Sequence, residues 1–265
     1  MKKFMFAATV AAAMAGFAVE SQVVGYTTVA YGSQFKLNGS MFVNVGDKTQ
    51  VNLYDYKIVN GDPERDYIQF LCTDRLYFDN AKMFYYYEDE DAPEDNGWYY
   101  KVGAMADEKV EYDDAWIPAN TACLCEFRSS NEVEILYAGE VQAGEGGVVT
   151  LPRPQQFNLY CNPLPREVDL TEVKMTDADP ERDYIQFLCA DRLYFDNAKM
   201  FYYYEDEDAP EDNGWYYKVG AMADEPVEFG VCTIGVGEGF LGEFRSSADT
   251  ALVFPDPFSP AAKGE

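Results

Sequence analysis

FYYYEDEDAPEDNGWYYK, residues 84–101, decides the fold, and the same eighteen residues return at 201–218. Two aromatic runs flank an acidic turn, and their period is two rather than 3.6. Successive side chains of a strand point to opposite faces, so Phe84 and Tyr86 share one face while Tyr85 and Tyr87 share the other. On the returning strand Trp98 and Tyr100 oppose Tyr99. Asn96-Gly97, just before Trp98, is a strong turn signal. Working outward, Asp66–Cys72, Lys82–Tyr87, Trp98–Val102, Thr121–Arg128 and Glu132–Tyr137 are rich in β-branched and aromatic residues. Turn residues separate them every eight to twelve positions or so, and alanine-rich helical stretches are absent beyond the N-terminus. The reading is all-β.

The hairpin belongs to a longer duplication. A shift of 117 residues superimposes Val51–Leu136 on Val168–Val253 without a gap, and 47 of 49 positions agree between 62–110 and 179–227. The two exceptions are Thr73 against Ala190 and Lys109 against Pro226. Outside the block, agreement drops to 3 of 11 positions upstream and 8 of 26 downstream, although EFRSS survives at 126–130 and 243–247. A near-perfect block with abrupt edges favours recent copying over residue-by-residue selection. Gln34–Asn38 aligns with Gln156–Tyr160 after a five-residue gap, so divergence is expected at 39–50 against 161–167, absorbed as a loop. The expected organisation is a signal peptide at 1–18, a first β repeat at 19–139, a linker at 140–145, a second β repeat at 146–256 and a tail at 257–265. Each repeat is expected to be a small β-sandwich or partly open barrel with its own core.

Composition removes whole classes of function. Forty-seven acidic residues against twenty basic give a net charge of −27, and there is no histidine. Imidazole bases, Ser-His and Cys-His nucleophile pairs and His-containing zinc sites are excluded. The acidic excess argues against nucleic acid, whose phosphates need Lys/Arg patches. Lys2 and Lys3 precede an apolar run, Phe4–Ala15, and small residues at Gly16 and Ala18 suit cleavage after Ala18. Loss of the two lysines would leave a mature charge of −29. The run is too short for a transmembrane anchor and nothing longer follows. Export to the periplasm, cell surface or medium is the reading, and it makes Cys72, Cys123, Cys125, Cys161, Cys189 and Cys232 disulfide candidates. Cys123 and Cys125 should share one strand face. Pairing within repeats, Cys72 with Cys123 or Cys125 and Cys189 with Cys161 or Cys232, is expected.

Several short stretches resemble a family of exported bacterial proteins built from two β-rich repeats. They are the VVGY opening at Val23–Tyr26, FNLYCNPL at Phe157–Leu164, the NGWYY turn at Asn96–Tyr100, GEGFLGEFRSS at Gly237–Ser247 and the closing FPDP at Phe254–Pro257. The resemblance implies export and a twin-repeat β architecture. It carries no catalytic residues to transfer.

Two candidate sites lie on the hairpin. Six carboxylates crowd its tip, and Asp89, Asp91 and Asp95, with Asp206, Asp208 and Asp212, are candidate Ca²⁺ ligands, one ion per repeat. A solvated tip whose charge protects strand edges is the competing reading. On the face turned from the core, Tyr85, Tyr87, Tyr99, Tyr202, Tyr204 and Tyr216 are a candidate glycan platform, against a cross-strand ladder that only stiffens the sheet. Gly235–Gly239 reads as a flexible β-turn. The expected function is non-enzymatic, adhesion or assembly at the cell envelope with envelope proteins or glycans as partners. A calcium-assisted glycan-binding module is the alternative, and a carboxylate-dependent glycoside-active enzyme a distant third.

Overall fold

In the computed structural model the described residues are 24–30, 35–44, 46–71, 78–101, 107–129, 132–142, 148–153, 156–188, 195–217 and 224–258. The expected signal peptide and part of the tail lie outside them. The chain is all-β, and among the described residues the helical segments are three-residue 3-10 turns such as Pro93–Asp95 and Pro210–Asp212. The first half runs β1 (Val24–Ala30), β2 (Phe35–Gly39), β3 (Phe42–Val43), β4 (Gln50–Asn52), β5 (Tyr56–Val59), β6 (Asp66–Leu71), β7 (Phe78–Tyr87), β8 (Gly97–Lys101), β9 (Glu108–Lys109), β10 (Trp116–Pro118), β11 (Ala122–Phe127) and β12 (Glu134–Val141). The second continues with β13 (Val149–Pro152), β14 (Phe157–Cys161), β15 (Val168–Asp169), β16 (Lys174–Thr176), β17 (Asp183–Leu188), β18 (Phe195–Tyr204), β19 (Gly214–Tyr217), β20 (Glu225–Pro226), β21 (Thr233–Ile234), β22 (Gly239–Phe244) and β23 (Ala251–Phe254). β12 extends to Val141, so the stretch expected as a linker opens inside a strand.

Each half holds a six-stranded antiparallel sheet. The orders are β2-β11-β6-β7-β8-β9 and β14-β22-β17-β18-β19-β20. Ile68 pairs with Phe84 and Tyr86 with Trp98 in one sheet, Ile185 with Phe201 and Tyr203 with Trp215 in the other. A second sheet closes each sandwich: β1-β12-β3 with β5 also on β12 in the first half, and β13-β23-β16 in the second. Between the layers lie Trp98 with Ile68, Tyr56, Ile135 and Tyr137, and in the other half Trp215 with Ile185, Phe244, Leu252 and Phe254. Each tryptophan is anchored by its one polar atom: Trp98 Nε1 donates to Tyr56 O at 3.0 Å and Trp215 Nε1 to Val173 O at 2.7 Å. The five-residue difference falls where β3 stands in the first half; residues 161–167 form no matching strand beyond the end of β14.

Two self-contained cores do not describe the molecule completely. A third apolar cluster joins the halves, with Leu37, Ala122 and Leu124 from the first and Leu159, Cys161 and Leu241 from the second. Alternation explains it: along β11, Cys123, Cys125 and Phe127 face the sandwich core while Ala122 and Leu124 face the other half. The backbones meet reciprocally at this seam. Gly39 N donates to Gly237 O at 2.9 Å, and Cys161 N to Asn120 O at 3.0 Å. Gly237 stands 117 residues after Asn120, and Cys161 aligns with Gly39 across the offset of the Gln34 and Gln156 stretches. The Gly235–Gly239 stretch is therefore a docking element rather than a merely flexible turn.

EFRSS is explained by a buried carboxylate. Asp66 Oδ1 accepts from Arg128 N at 2.8 Å and Ser129 N at 2.9 Å, while Oδ2 accepts from Asp62 N at 2.8 Å. Asp183 repeats this with Arg245 N at 2.7 Å, Ser246 N at 3.0 Å and Asp179 N at 2.8 Å. Both carboxylates are buried, so the bonds form where water cannot substitute. Asp66→Ala should cost about 3 kcal/mol, because three amide hydrogens lose a charged acceptor. Urea unfolding of wild type and variant measures it; a loss below about 0.5 kcal/mol would show that water replaces the carboxylate.

Candidate functional site

The hairpin has the two faces its alternation required. Trp98 is buried, and Phe84, Tyr86 and Tyr100 pack against the same core. On the opposite face Tyr85 and Tyr99 stack with centroids 5.7 Å apart at 17°, and Tyr87 meets Tyr99 edge-on at 6.0 Å. The second copy matches: Tyr202 and Tyr216 stack at 5.7 Å and 17°, with Tyr204 edge-on to Tyr216 at 6.2 Å. The six tyrosines are thus brought together in two groups of three. Tyr85 and Tyr202 are buried, and the other four are half-buried.

Their hydroxyls are committed within the chain. Tyr85 donates to Asp107 Oδ2 at 2.8 Å, Tyr87 to Asp89 Oδ2 at 3.2 Å and Tyr99 to Asp95 O at 2.7 Å. Tyr202, Tyr204 and Tyr216 donate to Asp224, Asp206 and the Asp212 carbonyl at 2.8, 3.1 and 2.8 Å. Desolvation, and then the Asp107 and Asp224 carboxylates, push the Tyr85 and Tyr202 phenols well above their ordinary range. Desolvation likewise raises Tyr56. Sequence reasoning missed Tyr67, Lys101 and Asp107. Lys101 Nζ donates to Tyr67 OH at 2.8 Å and stands 4.7 Å from that ring's centroid. The alternation of DYIQFL and WYYK places Tyr67 and Lys101 on the Tyr85 face, so that signal was present.

The copies differ at one described position of the near-identical block, and it falls here. Lys109, paired with Tyr99 across the strands, donates to Glu94 O at 2.8 Å and lies 5.8 Å from the Tyr99 centroid. Pro226 takes its place beside Tyr216. Lysine and proline are both residues that discourage a further strand from adding to an edge.

The aspartates at the tip serve the turn. Asp89 N donates to Asn96 Oδ1 at 2.6 Å, and Asp89 Oδ1 accepts from Asp91 N at 2.8 Å. Asp206 makes the same bonds with Asn213 and Asp208, at 2.6 and 2.8 Å. Asp91, Asp95, Asp208 and Asp212 are exposed, and among the described residues no three His, Cys, Asp or Glu side chains gather to hold a metal. Of the cysteines, Cys72 and Cys189 lie outside the described residues. Cys123 and Cys125 do share a strand face, with sulfurs 3.9 Å apart, and Cys161 Sγ donates to Ser40 O at 3.3 Å across the seam. No disulfide joins Cys123, Cys125, Cys161 or Cys232 to one another.

Comparison with protein-family models, curated proteins and solved structures finds no match for the chain.

Two outcomes follow from this geometry. Phenols held above their ordinary pKa near 10 bind their protons more tightly folded than unfolded, so their contribution is complete below about pH 10 and falls as pH rises further. Tyrosinate absorbance should therefore rise together with loss of structure above pH 10; full ionisation with the fold intact would contradict it. Calcium and magnesium at equal ionic strength should shift the melting temperature equally, since the turn already uses the Asp89 and Asp206 oxygens. A saturable rise in calcium alone would restore the Asp89–Asp91–Asp95 site.

Proposed function

We propose that the chain is an exported, non-enzymatic protein of the cell envelope or surface that acts in adhesion or assembly through two equivalent tyrosine faces. The observation that carries this is the repetition of one geometry: both faces stack at 5.7 Å and 17° with the same hydroxyl acceptors. Both lie on strands beyond β6 and β17, away from the seam that joins the halves. Lys2, Lys3 and the Phe4–Ala15 run support export. A protein partner is favoured over a sugar, because Tyr85 and Tyr202 are buried against the rings they stack on and all six hydroxyls are engaged internally, which leaves no tyrosine hydroxyl to donate to sugar oxygens. Catalysis is disfavoured: the crowded carboxylates stand at exposed tips, the opposite of the desolvated setting a general acid needs.

Two copies of one face make bivalent attachment, whose avidity exceeds that of either face. Labelled chain should bind isolated bacterial envelopes, Tyr99→Ala or Tyr216→Ala should each weaken binding roughly tenfold or more, and the double variant should abolish it. Protease treatment of the envelopes should remove binding, whereas loss on periodate treatment alone would favour the glycan reading. Undiminished binding by a folded double variant would overturn the role of these faces.

A further inference from the structure

The seam is filled unevenly. On one side Val236 packs against the first-half core, and Met41, fully buried, comes within 3.1 Å of where a side chain on Gly237 would begin. The residue 117 positions before Val236 is Ala119, two methyl groups smaller. There the halves part around a cleft of about 590 Å³. Phe70, Leu71 and Ile117 of the first half face Leu151, Leu159 and Tyr160 of the second across it. Its polar portion includes an amide pair, Asn120 Nδ2 donating to Gln142 Oε1 at 2.8 Å. Asn120 adopts a left-handed backbone, φ 59°, where the other half has Gly237 at φ 65°. An amide side chain is thus kept at a position whose backbone favours glycine.

The walls of the cleft are mostly apolar, so an apolar ligand seated there removes that surface from water. The volume is within the range of small-molecule sites, roughly 300–1,000 Å³. Charge narrows the ligand. Among the described residues that line the cleft none is Asp or Glu, so these supply a cation with no counter-charge. An anion is opposed by the net −27, and the lining Lys48 is already paired with Glu140 at 3.3 Å. We propose that this cleft binds one small, neutral, largely apolar molecule carrying a hydrogen-bonding group that meets the Asn120–Gln142 pair. Both halves supply its walls, so the site exists only in the joined chain.

N-phenyl-1-naphthylamine, neutral and apolar with a single N–H, is the probe. Its fluorescence should rise saturably at one molecule per chain. Ala119→Leu, which pushes a larger side chain into the cleft beside Asn120, should weaken binding at least tenfold; if that variant fails to fold, Ala119→Val, matching Val236, should weaken it several-fold. Asn120→Gly keeps the backbone found at Gly237 and should weaken the probe several-fold, but not its N-methyl analogue. Tyr99→Ala/Tyr216→Ala should leave probe binding unchanged, which separates this site from the tyrosine faces. Binding that does not saturate, or that survives in a folded Ala119 variant, would overturn the site. Equal effects of Asn120→Gly on both probes would overturn the role of the amide pair.

Discussion

Close backbone approach at the seam constrains everything around it. A β-carbon on Gly39 would lie 2.6 Å from Thr121 O and 2.9 Å from Cys161 Sγ, and one on Gly239 would lie 2.7 Å from the Ala122 β-carbon. Gly39 and Cys161 are corresponding positions, as are Ala122 and Gly239. At each, the side chain of one copy occupies the space that the other must leave empty. A reciprocal contact of this kind resembles an isologous dimer interface fused into one chain. Sterics require the copies to differ at these two positions, whereas Leu37 and Leu159, and Leu124 and Leu241, correspond and stay identical in the same seam.

The same constraint accounts for where identity is permitted. Residues 62–110 and 179–227 build β6 to β9 and β17 to β20, which continue each six-stranded sheet away from the seam after Leu71 and Leu188 have packed against its apolar cluster. The hairpins beyond meet no such packing conflict, and one hairpin design serves both ends. EFRSS survives in otherwise diverged flanks for a different reason. Its amides close on the buried Asp66 or Asp183 carboxylate of the block itself, so flank and block must keep that interaction together. Glu126–Arg128 and Glu243–Arg245 ion pairs repeat alongside.

The acidic tip shows how charge density and site geometry differ. Six carboxylates within eight residues suggest a cation on electrostatic grounds, but a ligand set needs oxygens converging on one point. Here Asp89 and Asp206 are drawn inward to organise the turn, accepting from backbone amides and from Tyr87 or Tyr204, while their neighbours point to solvent. The tyrosine hydroxyls are likewise used to fix the rings. Each face is consequently rigid, with its polar groups already satisfied by the chain that presents it.

The sequence by itself determined the all-β class, the pairing of the two aromatic runs, the division of their aromatics between two faces and the sharing of one face by Cys123 and Cys125. Each of these rests on the two-residue period of a strand. The turn is not at Asn96-Gly97: Asn96 is extended, Gly97 already pairs with Tyr87 as the first residue of β8, and the chain reverses through 88–96 with a 3-10 turn at Pro93–Asp95. The sequence also contained the correspondence between positions 117 apart, because identity needs no structure to be seen. Only the tertiary structure decided that the halves share a third core, that Gly235–Gly239 is a docking element, that Asp66 reaches Arg128 and Ser129, and that Ala119 lines a cleft between the halves while Val236 packs against the first-half core. Those contacts join residues 60 or more positions apart, and several join the two halves. Periodicity tells which face of a strand a side chain occupies, but the surface that face meets is fixed only when the sheets pack.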